Sequence, residues 1–493
     1  MIDFAIGLYA ACLFFLYKTS PVVGDNSVFG FRKLTFLISA AELPYLLFIS
    51  HNPDSLHPLV QEQVADFEAV FLKFLGLKSL FLTAFSITAF HLRRGFSVGR
   101  QNTTPVMKSV SLPSLDLLLS LLMLVLTLLT FALLLMQVGG LYDLLLRWSI
   151  KTEVLRGTAL FRISNLAFGI LAIGFFINYI GRRPKVSLIE RVALTLIIVI
   201  VFAVLMSVGE RKNPVLVVVF AMVTWHFRVR PIKLVTPRNI ALFVFFIGFA
   251  AIFPDLRKPD AMLLFFDDPV QMFVNAIENW WQVFARMSDV DTSLFIYSYF
   301  DSFDKFWFGA TWPDLFTGLI PSSVLQSKPP VDEGVYIYAM AHGYVFTPPT
   351  PFRDLIPVGW PLSRVTGPFA QFGIVGVFVG GLATGLVMRM LAKITFRTRS
   401  PSSLFIYTWA QLTGFGLTNA FIFNLALILL LLMPVHWYYR AAERRYFRRN
   451  QQRTYVEQMQ HAHRDRNPLP LKNTACISDP ASSDANCVQS ERQ

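Results

Sequence analysis

Long apolar runs separated by short polar segments dominate this sequence. The run 112–136, for example, carries a single charged side chain, Asp116. A helix needs about 20 predominantly apolar residues to cross a hydrocarbon core of roughly 30 Å, so such runs predict membrane-spanning helices. The pattern predicts an all-α polytopic membrane protein with about eleven spans, the range being ten to twelve. The predicted spans are 2–18, 34–50, 69–92, 111–136, 163–181, 190–207, 213–227, 239–254, 366–388, 403–418 and 419–437.

Lysine and arginine are concentrated in every second connection between these spans and in the C-terminal tail. The basic segments are 18–33, 93–108, 182–191, 228–238, 389–399 and 440–453. The connection 51–68 contains neither residue type. Because basic connections are retained in the cytoplasm, this alternation predicts an N-terminus outside and a C-terminus inside.

The same pattern predicts the domain organisation. Residues 1–254 form a first bundle of about eight helices, and 366–440 contain the last helices. Between them, 255–365 form one large outer loop of partly helical character. A loop of this length among short connections is more often functional than idle. Residues 441–493 form a tail that is basic and then, from about Gln451, too polar to fold, so we expect disorder there.

Composition excludes several other classes of protein. The 493 residues are 54% hydrophobic and only 15% charged, too few charges to cover the surface of several soluble domains. The net charge of +13 lies mainly in the connections that the orientation rule explains, so we predict no nucleic-acid partner. The three cysteines have no metal-ligand spacing. We therefore predict neither a metal nor a cofactor.

Arginines on the predicted outer side are not explained by the orientation rule. The candidates for a binding role among them are Arg156, Arg162, Arg211, Arg286, Arg353 and Arg364. A guanidinium group is planar, always charged and bidentate, which suits the oxygens of a phosphate or pyrophosphate. The pattern therefore indicates an anion site.

Four of these arginines also have a structural interpretation. Local ion pairs are open to Glu210–Arg211, Arg286–Asp289 and Arg353–Asp354. Arg162 stands at a membrane edge, where its stem can lie along apolar surface. The sequence does not choose between the two interpretations.

Five short motifs occur in order between 138 and 385. They are Val138-Gly-Gly140, Gly209-Glu-Arg211, Ala285-Arg286-Met-Ser-Asp289, the stretch from Pro321 to Pro329, and Gly367-Pro-Phe-Ala-Gln-Phe372-Gly373-Ile-Val-Gly376. Their order and predicted side resemble those of the bacterial O-antigen or oligosaccharide repeat-unit polymerases, over roughly half of the chain. The family often has an arginine after the loop proline, where this chain has Ser322.

The resemblance implies a glycosyltransferase of the bacterial inner membrane, with the large loop in the periplasm. A growing glycan would leave undecaprenyl pyrophosphate and pass to a new lipid-linked repeat unit, in O-antigen or exopolysaccharide synthesis. The expected partners are this lipid-linked oligosaccharide, the bilayer, a chain-length regulator and a flippase.

Under this interpretation the outer arginines meet the charge of the departing pyrophosphate. We expect Arg211 and Arg286 to bind it, with Arg156, Arg162, Arg353 and Arg364 as further candidates. A base must also accept the proton of the acceptor hydroxyl. The candidates are Asp289, Glu210, His342 and Asp354, and the sequence leaves the choice open.

Two alternative functions remain open from the sequence. An O-antigen ligase uses the same donor and also needs outer arginines. A lipid-linked oligosaccharide flippase or other transporter predicts charged residues deep within helices, and usually an inverted repeat. Away from their ends the predicted helices are nearly free of charge, the main exceptions being Glu42, Lys73, Lys78 and Asp116.

Overall fold

A computed structural model describes most of the chain. The described residues are 1–22, 27–92, 113–146, 155, 158–181, 183, 185–208, 212–232, 236–237, 268, 270–271, 274, 288–318, 320, 324–325 and 327–466. All regular elements in these ranges are helical. The described chain divides into two units, 1–438 and the C-terminal part from Tyr439.

The N-terminal half contains ten helices within the described ranges. They are α1 Ile2–Thr19, α2 Phe31–Ala40, α3 Leu43–His51, α4 Pro58–Gln63, α5 Phe67–Ser86, α6 Pro113–Val138, α7 Leu141–Leu146, α8 Ala159–Ile180, α9 Leu188–Ser207 and α10 Lys212–Arg228. A π-helical turn, Ile87–His91, continues α5. Local sequence sets several of the starts: Ser187 and Glu190 form a capping box on α9, and Asp66 accepts the Ala69 amide at the start of α5.

The C-terminal half contains six more helices in the part that the structure describes. They are α11 Val290–Tyr299, α12 Trp312–Thr317, α13 Gly334–Ala341, α14 Thr366–Thr398, α15 Pro401–Leu412 and α16 Asn419–Arg466. Helices α11 to α13 therefore belong to the predicted large loop. Helix α8 packs against α6, α9, α10 and α15, while α5 packs against α1, α11 and α14.

Eight described segments are long and apolar enough to cross a membrane, which confirms a polytopic α-helical membrane protein. They are Ile2–Thr19, Phe31–His51, Phe67–His91, Ser114–Val138, Ala159–Ile180, Leu188–Ser207, Thr366–Thr398 and Asn419–Tyr446. Of the other predicted spans, 213–227 is helical within the 17 residues of α10 and 403–418 corresponds to the 12-residue α15. The span 239–254 lies outside the described residues, so eleven stays a prediction.

Helix α14 folds back on itself at Phe372 and Gly373, both of which have non-helical backbone angles. A Cβ atom added at Gly376 would lie 2.0 Å from the Pro368 carbonyl oxygen, and one added at Gly380 would lie 2.7 Å from Pro368 Cγ. In a straight helix, residues 368 and 380 would be about 18 Å apart. Residues 366–371 therefore pack against the following arm, 374–398.

This reversal corrects the predicted span 366–388, whose first six residues do not continue the membrane helix. The reversal needs glycine at two kinds of position. Gly373 has a φ of 61°, which only glycine adopts readily. Gly376 and Gly380 lack the side chains that would keep the two arms apart.

The C-terminal tail also differs from expectation. Helix α16 continues to Arg466, so the disorder predicted from Gln451 is wrong for 451–466; residues beyond 466 lie outside the described ranges. This part of the tail is rich in glutamine and arginine, which have high helix propensity. Arg440 and Glu443 add an ion pair of 2.7 Å one turn apart.

Candidate functional site

Charged side chains from three helical regions meet around Lys78, on α5. Its ammonium group pairs with Glu42, between α2 and α3, and lies 3.6 Å from Asp289 Oδ1, directly before α11. The Lys78 side chain is 5% exposed, whereas Glu42 and Asp289 are 20% and 19% exposed. The lysine is therefore the most deeply buried of the three charged side chains.

An interrupted helix and a helix start place the two carboxylates. Ala41 and Glu42 form a turn between α2 and α3, and Pro44 in the first turn of α3 favours a new helix start there. Asp289 precedes α11, and its carbonyl oxygen accepts the Ser293 amide at 2.9 Å.

Arg364 joins this group because of the reversal in α14. Its Nη2 donates to Ser39 Oγ at 3.1 Å, and its guanidinium carbon lies 5.7 Å from the centre of the Phe81 ring. Ser363 hydrogen-bonds the Asp289 carboxylate. Gly381, on the second arm of α14, also packs against Phe81. Arg364 therefore lies beside the last third of α5.

Two buried tyrosines lie near the same charged groups. The rings of Tyr9 and Tyr297 are each 1% exposed, and within the described ranges their hydroxyl groups have no hydrogen-bond partner. Both tyrosines interact electrostatically with Glu42 and Asp289. We call Tyr9, Glu42, Lys78, Asp289, Tyr297 and Arg364 the charged cluster.

Several cations act on the Asp289 carboxylate. Burial alone would raise the pKa of Asp289, but Lys78, the hydrogen bond from Ser363 and Arg364 together hold it below its ordinary value. Lys212, at the start of α10, also interacts with Asp289. Three cations thus act on Asp289, while Glu42 is the second carboxylate.

The other predicted site residues that the structure describes are placed elsewhere. His342 is exposed at the end of α13, where Nδ1 lies 2.9 Å from the Tyr338 carbonyl oxygen. Arg353 and Asp354 form an exposed ion pair of 3.5 Å, as the structural interpretation of the sequence expected. Arg162 lies in the first turn of α8. No described contact joins His342, Arg353 or Asp354 to the charged cluster.

The remaining candidates, Arg156, Glu210, Arg211 and Arg286, lie outside the described residues. Their described neighbours can be placed. Leu155 and Val208 share one hydrophobic cluster with Phe161, so these described neighbours of Arg156 and Gly209 lie close to each other and to the first turn of α8.

Glu42 and Lys78 were missed as site residues by sequence reasoning, although both were visible as charges within predicted spans. The available signal was the free-energy cost of burying them in a membrane, because an ionisable side chain within a membrane helix is rarely retained without a function. Their spacing gave no sign that they pair with each other, because α3 and α5 lie in different parts of the chain.

A second polar cluster lies where the loop meets α14 and α16. Glu333, which is 2% exposed, accepts hydrogen bonds from the Thr311 hydroxyl at 3.1 Å and from the Asn419 amide at 3.0 Å. Gln371 Nε2 donates to the same Thr311 oxygen at 2.5 Å. Burial raises the pKa of Glu333 to about 8. This cluster connects the loop to the first arm of α14 and to the start of α16.

Comparisons with protein-family models, with curated proteins and with solved structures found no match to this chain.

Proposed function

We propose that this protein polymerises lipid-linked oligosaccharide repeat units, transferring a growing glycan from undecaprenyl pyrophosphate to a new lipid-linked unit. The observation that carries the proposal is the position of Asp289 between Lys78 and Arg364. A carboxylate beside fixed cations supplies a proton acceptor and a site for a departing anion at one place.

In the proposed reaction, an acceptor hydroxyl oxygen attacks the anomeric carbon of the donor sugar. The bond from that carbon to the pyrophosphate oxygen breaks, and its electron pair leaves with the pyrophosphate, next to Lys78 and Arg364. Asp289 takes the hydroxyl proton. Binding of the pyrophosphate would offset the cations that lower the pKa of Asp289, which makes the carboxylate a better base when the donor is bound.

The proposal includes a location and an orientation. The protein would lie in a bacterial inner membrane with the N-terminus outside, the C-terminus in the cytoplasm and residues 255–365 in the periplasm, as the basic connections favour. Arg211 and Arg286 remain proposed ligands of the pyrophosphate because they flank, in sequence, Lys212 and Asp289.

A transporter of the same lipid-linked oligosaccharide is the second candidate. Two observations favour it: a charged pair, Glu42–Lys78, within the membrane segments, and the interruptions of helices at Glu42 and at Phe372–Gly373. Broken helices and intramembrane charges are typical of substrate sites in transporters. A ligase shares the donor chemistry of the polymerase and differs in its acceptor.

One reconstitution separates the three functions. Purified protein in proteoliposomes is supplied with a single lipid-linked repeat unit, and products are resolved by size. A ladder of glycans is the result expected of a polymerase. Movement of the unit to the other leaflet without extension would support the transporter, and extension only with a core-lipid acceptor would support the ligase.

The first variant to compare is Asp289→Asn. We expect loss of the ladder with normal protein accumulation, since the amide keeps the size but cannot accept the proton. Asp54→Asn changes an exposed aspartate outside the charged cluster and is expected to leave the ladder intact. A full ladder from Asp289→Asn would refute the role of Asp289.

A further inference from the structure

An aromatic surface patch covers residues 303–316 of the loop. Phe303, Phe308, Trp312 and Phe316 are 77%, 47%, 52% and 73% exposed. The rings of Phe303 and Phe308 are 4.8 Å apart, so they form a continuous surface. Four large exposed aromatic side chains within one short segment are unusual for a surface that faces water.

Helix α12, within this patch, buries its charged side chain and exposes its large apolar ones. Its carboxylate, Asp314, is 1% exposed and lies 3.5 Å from the Tyr336 hydroxyl, while Trp312 and Phe316 point outwards one turn apart. A surface helix in water shows the opposite arrangement, with apolar residues inside and charges outside. The reversed arrangement indicates an apolar surrounding.

The patch is continuous with a membrane-spanning surface. Phe308 and Trp312 contact the Phe372 ring, with centroids 6.3 and 5.6 Å away. Immediately after Phe372, α14 exposes Ile374, Val375, Phe378 and Val379. Residues 374–398 span about 37 Å at 1.5 Å per residue, somewhat more than a hydrocarbon core of roughly 30 Å, so Phe372 falls near the boundary.

The backbone of the patch is also suited to an apolar surrounding. The amides of Trp307 and Phe308 donate to the carbonyl oxygens of Ala370 and Gln371 at 3.0 and 2.9 Å. The Gly309 amide donates to the Gln371 side chain at 2.9 Å. These amides do not require water, which is the condition for placing irregular backbone at a membrane.

We propose that the aromatic patch is inserted into the bilayer at the boundary between headgroups and acyl chains, and so holds the loop against the membrane. Aromatic side chains favour this region. The Lys305–Asp301 ion pair of 2.8 Å, next to Phe303, would lie among the headgroups. The bilayer lipid is the partner, and this inference does not depend on the reaction that the protein catalyses.

The test measures the depth of single nitroxide labels on the full chain in lipid nanodiscs. Cys12, Cys476 and Cys487 are first replaced by serine, and labels are then placed by Trp312→Cys and by Phe316→Cys. Val375→Cys, on the exposed face of α14, is the lipid reference. Val345→Cys, 86% exposed in a different part of the loop, is the water reference.

At both patch positions we expect collisions with oxygen to exceed collisions with a water-soluble nickel chelate, as at Val375→Cys, and the reverse at Val345→Cys. Chelate collisions equal to those at Val345→Cys would overturn the proposal. Protection from both reagents, with spin–spin broadening between copies, would overturn it as well, because a second protein chain would then cover the patch.

Discussion

Lys78 illustrates how one side chain can hold together distant parts of this chain. Its charge is buried, and an unpaired charge in such a position is strongly unfavourable. Lys78 is therefore stable only with Glu42 and Asp289 beside it. The same requirement keeps the start of α11 against α5, and with it the proposed base.

Removing this lysine is expected to destabilise the protein. Lys78→Met leaves two carboxylates without their shared cation, and we expect the free energy of unfolding in mixed micelles to fall by about 3–5 kcal/mol. The control is Lys73→Met, which removes a hydrogen bond to the Tyr297 carbonyl oxygen and a cation–π contact with Phe369 but leaves no carboxylate without its cation, and should cost less. Adding Glu42→Gln to Lys78→Met should restore part of the loss; strict additivity would contradict the pairing.

Glu333 should make stability depend on pH. Its pKa rises from 4.5 in the unfolded chain to about 8 in the fold, so the folded state binds the extra proton between these values. The contribution of this proton to the free energy of unfolding is complete below about pH 4.5 and is lost as the pH rises through about 8. Thermal unfolding in detergent should therefore show a decline over this range.

The variant Glu333→Gln is expected to flatten that decline, since the amide does not titrate. Glu62→Gln, at an exposed glutamate, should retain the wild-type slope. Equal slopes in all three proteins would show that Glu333 does not titrate with folding.

The reversal in α14 is the element that forms the candidate site. It carries Arg364 down to Phe81, it presents the Ala370 and Gln371 carbonyl oxygens to the aromatic patch, and it places Gln371 beside Glu333. A continuous helix from 366 would leave Arg364 at the end of the bundle, because each residue adds 1.5 Å along the axis.

Gly376→Ala is expected to disrupt this reversal, because the added methyl would meet the Pro368 carbonyl oxygen at 2.0 Å and the arms would separate. We expect a lower unfolding temperature and loss of polymer synthesis. Gly76→Ala is the matched control, since nothing lies within 4 Å of its added Cβ; it should be neutral or slightly stabilising. Equal effects of the two variants would contradict the close packing.

The proposed function depends on how the helical bundle is oriented in the membrane as well as on how its helices pack. The charged cluster can meet an extracytoplasmic donor only if the loop residues that form it, such as Asp289, come from that side. The alternation of basic connections predicts this arrangement, and it can be measured without reference to the reaction.

Sidedness is tested with a membrane-impermeant maleimide on the cysteine-free protein. Val345→Cys should react in right-side-out vesicles, and Arg453→Cys only in inverted ones. The opposite pattern would place the loop in the cytoplasm and exclude a donor presented on the outer face, whereas the insertion of the aromatic patch would be unaffected.

Run length and charge were sufficient to predict most of the membrane helices, because apolar length is a local property. Local signals did not reveal the reversal at Phe372–Gly373. The glycines of the motif 367–376 are visible in the sequence, but a glycine can occur at a turn, at a close contact or within a helix. Only the short distance from Gly376 to Pro368 in the tertiary structure distinguishes these possibilities.

Among the candidate site residues, Asp289 and Arg364 were predicted individually and the structure brings them together. Arg353 and Asp354 are of the same residue types, and His342 is a further candidate base, but all three lie exposed elsewhere. The position of a residue along the loop does not determine whether its side chain is buried. Glu42 and Lys78 could be seen as charges in apolar runs, yet their pairing depends on which helices are neighbours.

The sequence by itself determined that this is a helical membrane protein, where most spans lie and which segments carry unexplained arginines. Hydrophobic length and charge act along the chain, so they can be read from it. The tertiary structure alone decided which charges neutralise one another and which aromatic rings face outwards. These properties depend on contacts between helices far apart in sequence, and on backbone reversals that a few glycines permit but do not by themselves require.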